Sequence, residues 1–387
     1  MTEHFLHGVE VVEIDSGPRP IRTVRSSVIG IVGTAPEAKA EQFPINKPVL
    51  IAGNRKETAP LGKTGTLPSA LDAIFDQAGA MVVVIRVEEH AEPDNQLAAI
   101  IGGVNVDTGN YEGVHALLGA ESVAKVQPKL LIVPGFTQIE AVTQELQGIA
   151  DRLRAIIIAD GPNTTDEAAK AYRDKFGSAR VYLVDPAVTV FDTTLKQETA
   201  QPASSRVAGL IARIDHKHGF WWSPSNKELY GLIGTHRPVD FTLGDPNARA
   251  NVLNENEVAT IIQKQGYRLW GNRTCSSDPK WAFLSVRRTA DMINESLLRA
   301  HLWAVDRNID RNFIESVTDG VNSYLRTLKN KGAIIGGECW LDEKLNTPEN
   351  IADGKVFFNF DFTPPYPAEH ITFQSSLVND YLEELSP

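Results

Sequence analysis

The stretch Met81-Val-Val-Val-Ile-Arg-Val87 is apolar at five consecutive positions, and again at Val87 after Arg86, rather than at alternate ones. A strand of that kind has no wet face, as when helices cover both sides of a mostly parallel sheet. Runs of the same type lie on either side of it, at Val28 to Val32, Val49 to Ala52, Lys129 to Val133, Ala155 to Ala159 and Arg180 to Val184. Helix-like segments fill the gaps, among them Ser69 to Gln77 and Thr137 to Leu153. Thr164 and Glu167 have the spacing of a capping box, whose side chains satisfy orphan amide donors, so a helix is expected to start there and to end at Gly177. Strands and helices alternating between residues 25 and 215 predict an α/β layer.

A chain of 387 residues exceeds what one hydrophobic core usually organises, so two domains or one with a large insertion are expected. Hydrophobic residues at 42% and charged residues at 22% are globular values and exclude wholesale disorder. The net charge of -11 argues against a general nucleic-acid binder, whose phosphate contacts need a basic surface. Cys275 and Cys339 are too few for a disulfide framework and lack metal-ligand spacing, so both read as core or unpaired thiols in a reducing cytoplasm. The first residues, Met1-Thr-Glu-His-Phe-Leu-His7, lack the basic and apolar regions of a secretory signal, and no run has the roughly 18 apolar residues of a membrane span. A cytosolic protein without membrane insertion is expected.

From Pro224 to Asn254 the sequence is polar and rich in Pro, Gly and Asn, which reads as connecting loops before a second unit near Glu257. Its helices are amphipathic, with Ile293, Leu297 and Ala300 at helical spacing, then Ile314, Val317, Val321, Tyr324, Leu325 and Leu328 before a stop at Gly332. Trp270, Trp281 and Trp303 are expected at the heart of this unit. Val9, Val11, Val12 and Ile14 form a β-prone segment at one end, and Phe358, Phe360 and Phe362 alternate with polar residues at the other. After Pro364-Pro-Tyr-Pro367 comes a second alternating run, Ile371, Phe373 and Leu377. Such end strands pair within their own fold or add to the sheet edge of another subunit; repeated head-to-tail, donation builds an open helical polymer.

Several enzyme-like patterns fail on inspection. Gly62-Lys63-Thr64 lacks the earlier glycine of a phosphate-binding loop, because Glu57 occupies that position. Gly30-Ile-Val-Gly33 lacks the dinucleotide spacing and Pro36 follows it. His216 and His218 have no further metal ligands nearby, and no cofactor or metal site is expected. Asp160 and Asp185 end probable parallel strands, where α/β enzymes place catalytic groups, but aspartate is also a capping and turn residue there and no nucleophile and base accompany them.

One stretch has a close likeness elsewhere. Gly266-Tyr-Arg-Leu-Trp-Gly-Asn-Arg-Thr-Cys-Ser-Ser-Asp-Pro-Lys-Trp-Ala-Phe283 resembles the C-terminal domain signature of contractile tail sheath proteins, from contractile-tailed phages and R-type bacteriocins. Gly219-Phe-Trp-Trp-Ser-Pro-Ser-Asn226 and Asp160-Gly-Pro-Asn-Thr-Thr-Asp166 extend the resemblance over most of the chain. It implies a structural protein rather than an enzyme, α/β with an α+β inner part: an N-terminal arm over 1–20, an α/β domain with an outer insertion over 21–256, an inner tube-facing domain over 257–370 and a C-terminal arm over 371–387. It also implies a homo-oligomer, a helical sheath of stacked hexameric rings around a tail tube protein, joined to baseplate and tail terminator, within a virion or phage-tail-like particle made in a bacterial cytoplasm. The arms, Val9 to Ile14 and the region from Ile371 to Leu385, would complete sheets in neighbouring subunits. Arg326, Lys329 and Lys331 would face the tube, although balancing a helix dipole accounts for them equally well. The rival readings are an α/β enzyme using Asp160 and Asp185, and a structural assembly protein that polymerises without contracting.

Overall fold

The computed structural model describes residues 20–192 and 196–381. Its strands in chain order are β1 (Ile29–Thr34), β2 (Val49–Ala52), β3 (Met81–Val87), a small hairpin of β4 (Gly103–Val104) and β5 (Tyr111–Glu112), β6 (Leu130–Ile132), β7 (Ile156–Asp160) and β8 (Val181–Val184). Then follow β9 (Val188–Asp192), β10 (Gln197–Gln201), β11 (Lys227–Leu229), β12 (Gly234–Thr235), β13 (Val258–Gln263), β14 (Tyr267–Trp270), β15 (Gly336–Leu341) and β16 (Phe358–Thr363). The helices are α1 (Leu67–Phe75), α2 (Pro93–Ile101), α3 (Ala120–Ala124), α4 (Glu140–Leu153), α5 (Asp166–Arg173), α6 (Ser204–His218), α7 (Arg249–Glu255), α8 (Leu284–Ala300), α9 (Arg311–Asn330) and α10 (Pro348–Ala352).

A nine-stranded mixed sheet in the order β11-β14-β13-β8-β7-β6-β1-β3-β2 organises the molecule. Its strands from β13 to β3 run parallel, and β2, β14 and β11 add antiparallel edges. The consecutive apolar residues divide between two cores, as a sheet covered on both faces requires. Val82 and Val84 of β3 and Ile156 and Ile158 of β7 join the core that includes α1 and α6 residues. Val83, Ile85 and Val87 and then Ile157 and Ala159 join the opposite one, with α4 and α5.

All six expected strands form, with ends displaced by at most two residues. The helix starts differ more. α4 begins at Glu140 rather than Thr137, because the Thr137 carbonyl accepts the hydroxyls of Thr143 (2.8 Å) and Tyr172. The expected capping box is displaced by one residue: Thr165, not Thr164, caps α5 and accepts the Ala168 amide at 3.1 Å, and the helix closes at Asp174 ahead of Gly177. The segment expected as loops contributes β11, β12 and α7. β13 and β14 carry the large sheet past residue 257, where the second unit was expected to start.

What remains beyond the sheet is built from α8, α9 and the antiparallel pair β15–β16, around Met292, Ile293, Val321, Tyr324, Leu325, Leu328, Phe220 and Cys339. The three tryptophans are not its heart. Trp270 lies on β14 against Phe241, Trp281 lies under Arg287, and Trp303 lies beside Phe313. Cys275 and Cys339 are buried free thiols.

Candidate assembly site

Charged contacts run along the junction of the second unit with the sheet. Lys129, Arg154 and Arg180 each stand one or two residues before a parallel strand, so they line up along the sheet's N-terminal edge, and α8 lies across them. Glu295 pairs with Lys129 at 3.7 Å, Arg154 at 3.1 Å and Arg299 at 2.8 Å. One turn earlier Asp291 pairs with Arg180 and Arg287, and Arg288 forms a fork to Asp215 of α6 at 2.5 and 2.8 Å. Burial pushes the Lys129 ammonium down to about 8 despite Glu295. Burial alone would raise Glu295, but the Arg299 hydrogen bond and the surrounding cations hold it below the usual range. A joint of this kind fixes angle and register more than it adds stability, since buried charges repay little beyond their desolvation.

α9 is capped at its start by Asp310, whose carboxylate accepts the Phe313 amide at 2.7 Å. Val317, Val321, Tyr324, Leu325 and Leu328 face the core. The opposite stripe is exposed, with Glu315 and Asp319 toward one end and Arg326 and Lys329 toward the other, and Lys331 is the exposed C-cap. None of these three cations is paired with a carboxylate among the described residues.

The β15–β16 pair has two unequal edges. The Asp342 amide donates to the Phe357 carbonyl, so residues alternate from there, and Cys339 on β15 and Phe358, Phe360 and Phe362 on β16 turn their main-chain groups outward. On β15 that edge is closed at Cys339: the Asn322 side chain donates to its carbonyl at 2.9 Å and accepts from its amide at 2.8 Å. Among the described residues β16 pairs with β15 alone, so its outer edge is open. Its phenylalanines pack on the core of the unit while Asp361 is exposed, as alternation requires.

Ile371, Phe373 and Leu377 form no strand and are 66%, 91% and 100% exposed, so three large apolar side chains in alternating sequence meet solvent. Val9, Val11, Val12 and Ile14 lie outside the described residues. What precedes this tail is held: Arg273 grips the Glu369 carboxylate at 2.8 and 2.6 Å, and Tyr366 lies edge-on to Phe283.

The carboxylates weighed as catalytic are structural in their contacts. Asp160 accepts the Ser204 amide at 2.8 Å and the Ser204 hydroxyl at 2.6 Å, so it closes the first turn of α6. Burial pushes its carboxyl up to about 6 against these bonds. Asp185 is buried, accepts the Asn163 amide at 2.7 Å and pairs with Arg237, which also holds Asp166. The crevice beside β1 is filled by Thr34 and Thr66, whose amides and hydroxyls bond reciprocally at 3.0 and 3.2 Å, and a Cβ on Gly33 would lie 2.4 Å from the Thr66 hydroxyl. At Gly62-Lys63 the turn binds the chain's own Glu37, through the Lys63 amide at 2.9 Å. His218 stacks on Trp222.

The sequence therefore located the cations of α9 and the exposed tail but missed Asn322, the Arg273–Glu369 fork and the charged face of α8. Only the last left a signal, since Arg288, Asp291 and Glu295 follow helical spacing on a helix that also carries an apolar stripe.

Comparison with known proteins agrees over the whole chain. Family models match as the tail sheath protein Gp18 domain III N-terminal region (26–87), the phage tail sheath protein central domain (109–275) and the phage tail sheath C-terminal domain (276–377). A prophage major tail sheath protein of Pseudomonas aeruginosa is 44% identical over 382 residues, covering 98% of each chain. The tail sheath protein of Escherichia phage P2 is 38% identical over 388 residues, again covering 98% of each. Among solved structures, the anti-feeding prophage helical sheath in its contracted state superposes with a TM-score of 0.72 at 22% identity, over 96% of this chain and 99% of that one. The sheath complex of the extracellular contractile injection system PVC, also contracted, gives 0.71 at 17% identity, over 98% and 99%. With identity at this level over its full length, the chain belongs to the phage tail sheath family.

Proposed function

We propose that this chain is the major subunit of a contractile sheath, which polymerises helically around a tail tube in an extended, metastable state and shortens to drive the tube through a target envelope. The observation that carries the proposal is the conjunction of a β16 outer edge that no other described strand pairs with and an exposed alternating tail at Ile371, Phe373 and Leu377. Each is a liability in an isolated soluble protein, and each removes the other when the tail of one subunit lies along β16 of the next. Val9, Val11, Val12 and Ile14 would supply a second donated strand. The subunits would stack as hexameric rings between baseplate and tail terminator, in a phage virion or phage-tail-like particle, after synthesis in the cytoplasm of a bacterial host. Arg326, Lys329 and Lys331 would meet acidic groups on the tube.

No catalysis is assigned, and none is needed. If both helical forms use the same surfaces in two packings, a few kcal/mol per subunit, summed over the polymer, would drive contraction without nucleotide. Negative-stain electron microscopy of the purified full-length protein, alone and with tube protein, tests this. Hollow tubes of two helical forms support it, as does their loss on removing residues 1–15. Discrete particles under both conditions would overturn it.

A further inference from the structure

We infer that Arg273 and Phe283 form a seat from which the C-terminal arm takes off, with Glu369 as its clasp. The inference rests on the arm-donation reading and deepens it by naming the residues that aim the arm. Arg273 and Phe283 are joined by an antiparallel bridge that closes the loop between β14 and α8, which brings their side chains together. The Arg273 guanidinium lies over the Phe283 ring at 5.0 Å, and Tyr366 meets the same ring edge-on at 6.1 Å. Glu369 then accepts two hydrogen bonds from Arg273, a fork whose two parallel contacts fix direction as well as distance.

β16 ends at Thr363 and Pro364 is buried, so the seat is the last point at which the chain is held before the arm leaves. Directly beyond the clasp, residues 370–381 are all exposed, and their one side-chain hydrogen bond to a described residue is the local Thr372 to His370 contact. Before it, Pro365, Tyr366 and Pro367 line a cleft of about 390 Å³ together with Trp221, Trp222, Ser285 and Gly332, so the root borders a cleft on one side. Arg273 and Glu369 are 36% and 39% exposed, which leaves the clasp reversible and open to screening. Fixing the root confines the volume that the following residues sample, which raises their effective concentration at an edge within reach.

The test uses the full-length chain with Arg273→Glu, Glu369→Arg and the double exchange, beside a truncation of residues 371–387. Tube formation is read by sedimentation and negative-stain microscopy, and hydrogen exchange is followed over residues 364–370 in the unassembled chain. Each single reversal should raise the concentration needed for assembly about fivefold to tenfold and speed exchange across the root, and the double exchange should restore both to within about twofold. Rescue by exchange separates a positioning role from damage to folding. If a reversal lowers the melting temperature, Arg273→Lys, which keeps the charge but loses the fork, replaces it and should give a smaller shift in the same direction. Truncation that abolishes assembly while the reversals change neither readout would overturn the seat and leave the arm reading intact. A truncated chain that assembles normally would overturn the arm reading, and the seat with it.

Discussion

At Asp160 a carboxylate sits wholly inside the protein, its oxygens committed to Ser204 at the start of α6. Burial lifts its pKa from 3.8 to about 6, so the folded chain holds this proton more tightly than the unfolded chain. The linked stability is therefore fully present below about pH 4 and is lost as pH rises through about 6. Asp160→Asn keeps an acceptor for the Ser204 amide without the charge. Its stability advantage over the parent should grow by about 2 kcal/mol between pH 4 and pH 7, since each tenfold difference in proton affinity is worth about 1.36 kcal/mol and the unfolded carboxyl is already partly ionised at pH 4. Urea unfolding of both proteins across that range measures it, and a gap that stays flat would refute the linkage. Asp160→Ala, which orphans the Ser204 donor, should cost about 1–3 kcal/mol at neutral pH.

At the level of elements, the charged face of α8 makes a sharper demand, because Arg288 and Asp215 are 3% and 2% exposed and neither can reach water if its partner goes. Asp215→Leu and Arg288→Met should each destabilise the protein by about 3–5 kcal/mol, whereas the two together should recover most of the loss. Chemical denaturation of the singles and the double decides it; additive losses would mean that the pair does not act as a unit. The same helix shows where the sequence could be read and where it could not. β3 was legible because five consecutive apolar residues, Met81 to Ile85, fix a strand covered on both faces without reference to anything distant. The α5 cap was legible in kind but not in place, since Thr164 and Thr165 are both competent and the backbone decided for Thr165. Trp270, Trp281 and Trp303 misled because residue type says that an aromatic will be packed, not against what. Arg273 and Glu369 are 96 residues apart, and no local pattern pairs them. Asn322 was equally silent: an amide closing a strand edge looks like any polar residue on a helix.

On the scale of the whole molecule, two kinds of contact must coexist if the sheath is to grip its tube and later slide off it. Strand addition at β16 would rest on main-chain hydrogen bonds and half-buried phenylalanines, which salt leaves largely intact. The cationic end of α9 is exposed, so the attraction for a tube proposed for it would fall as the Debye length shrinks from about 10 Å at 0.1 M to about 3 Å at 1 M salt. The two should separate experimentally. Tubes already formed by the sheath protein alone should survive 1 M salt, since the Arg273–Glu369 clasp matters to docking the arm and not to an arm already paired, while binding to tail tube should weaken several-fold over the same range. Combined reversal of Arg326, Lys329 and Lys331 to glutamate should abolish the templated reaction and its salt dependence together, yet leave self-assembly within about twofold, since surface charges away from the edge contribute little to folding. Sedimentation of sheath with and without tube protein, at both salt concentrations, reads all of these quantities. Templated assembly that persists in the triple reversal would remove α9 from the tube interface and leave its cations the smaller task of balancing the helix dipole.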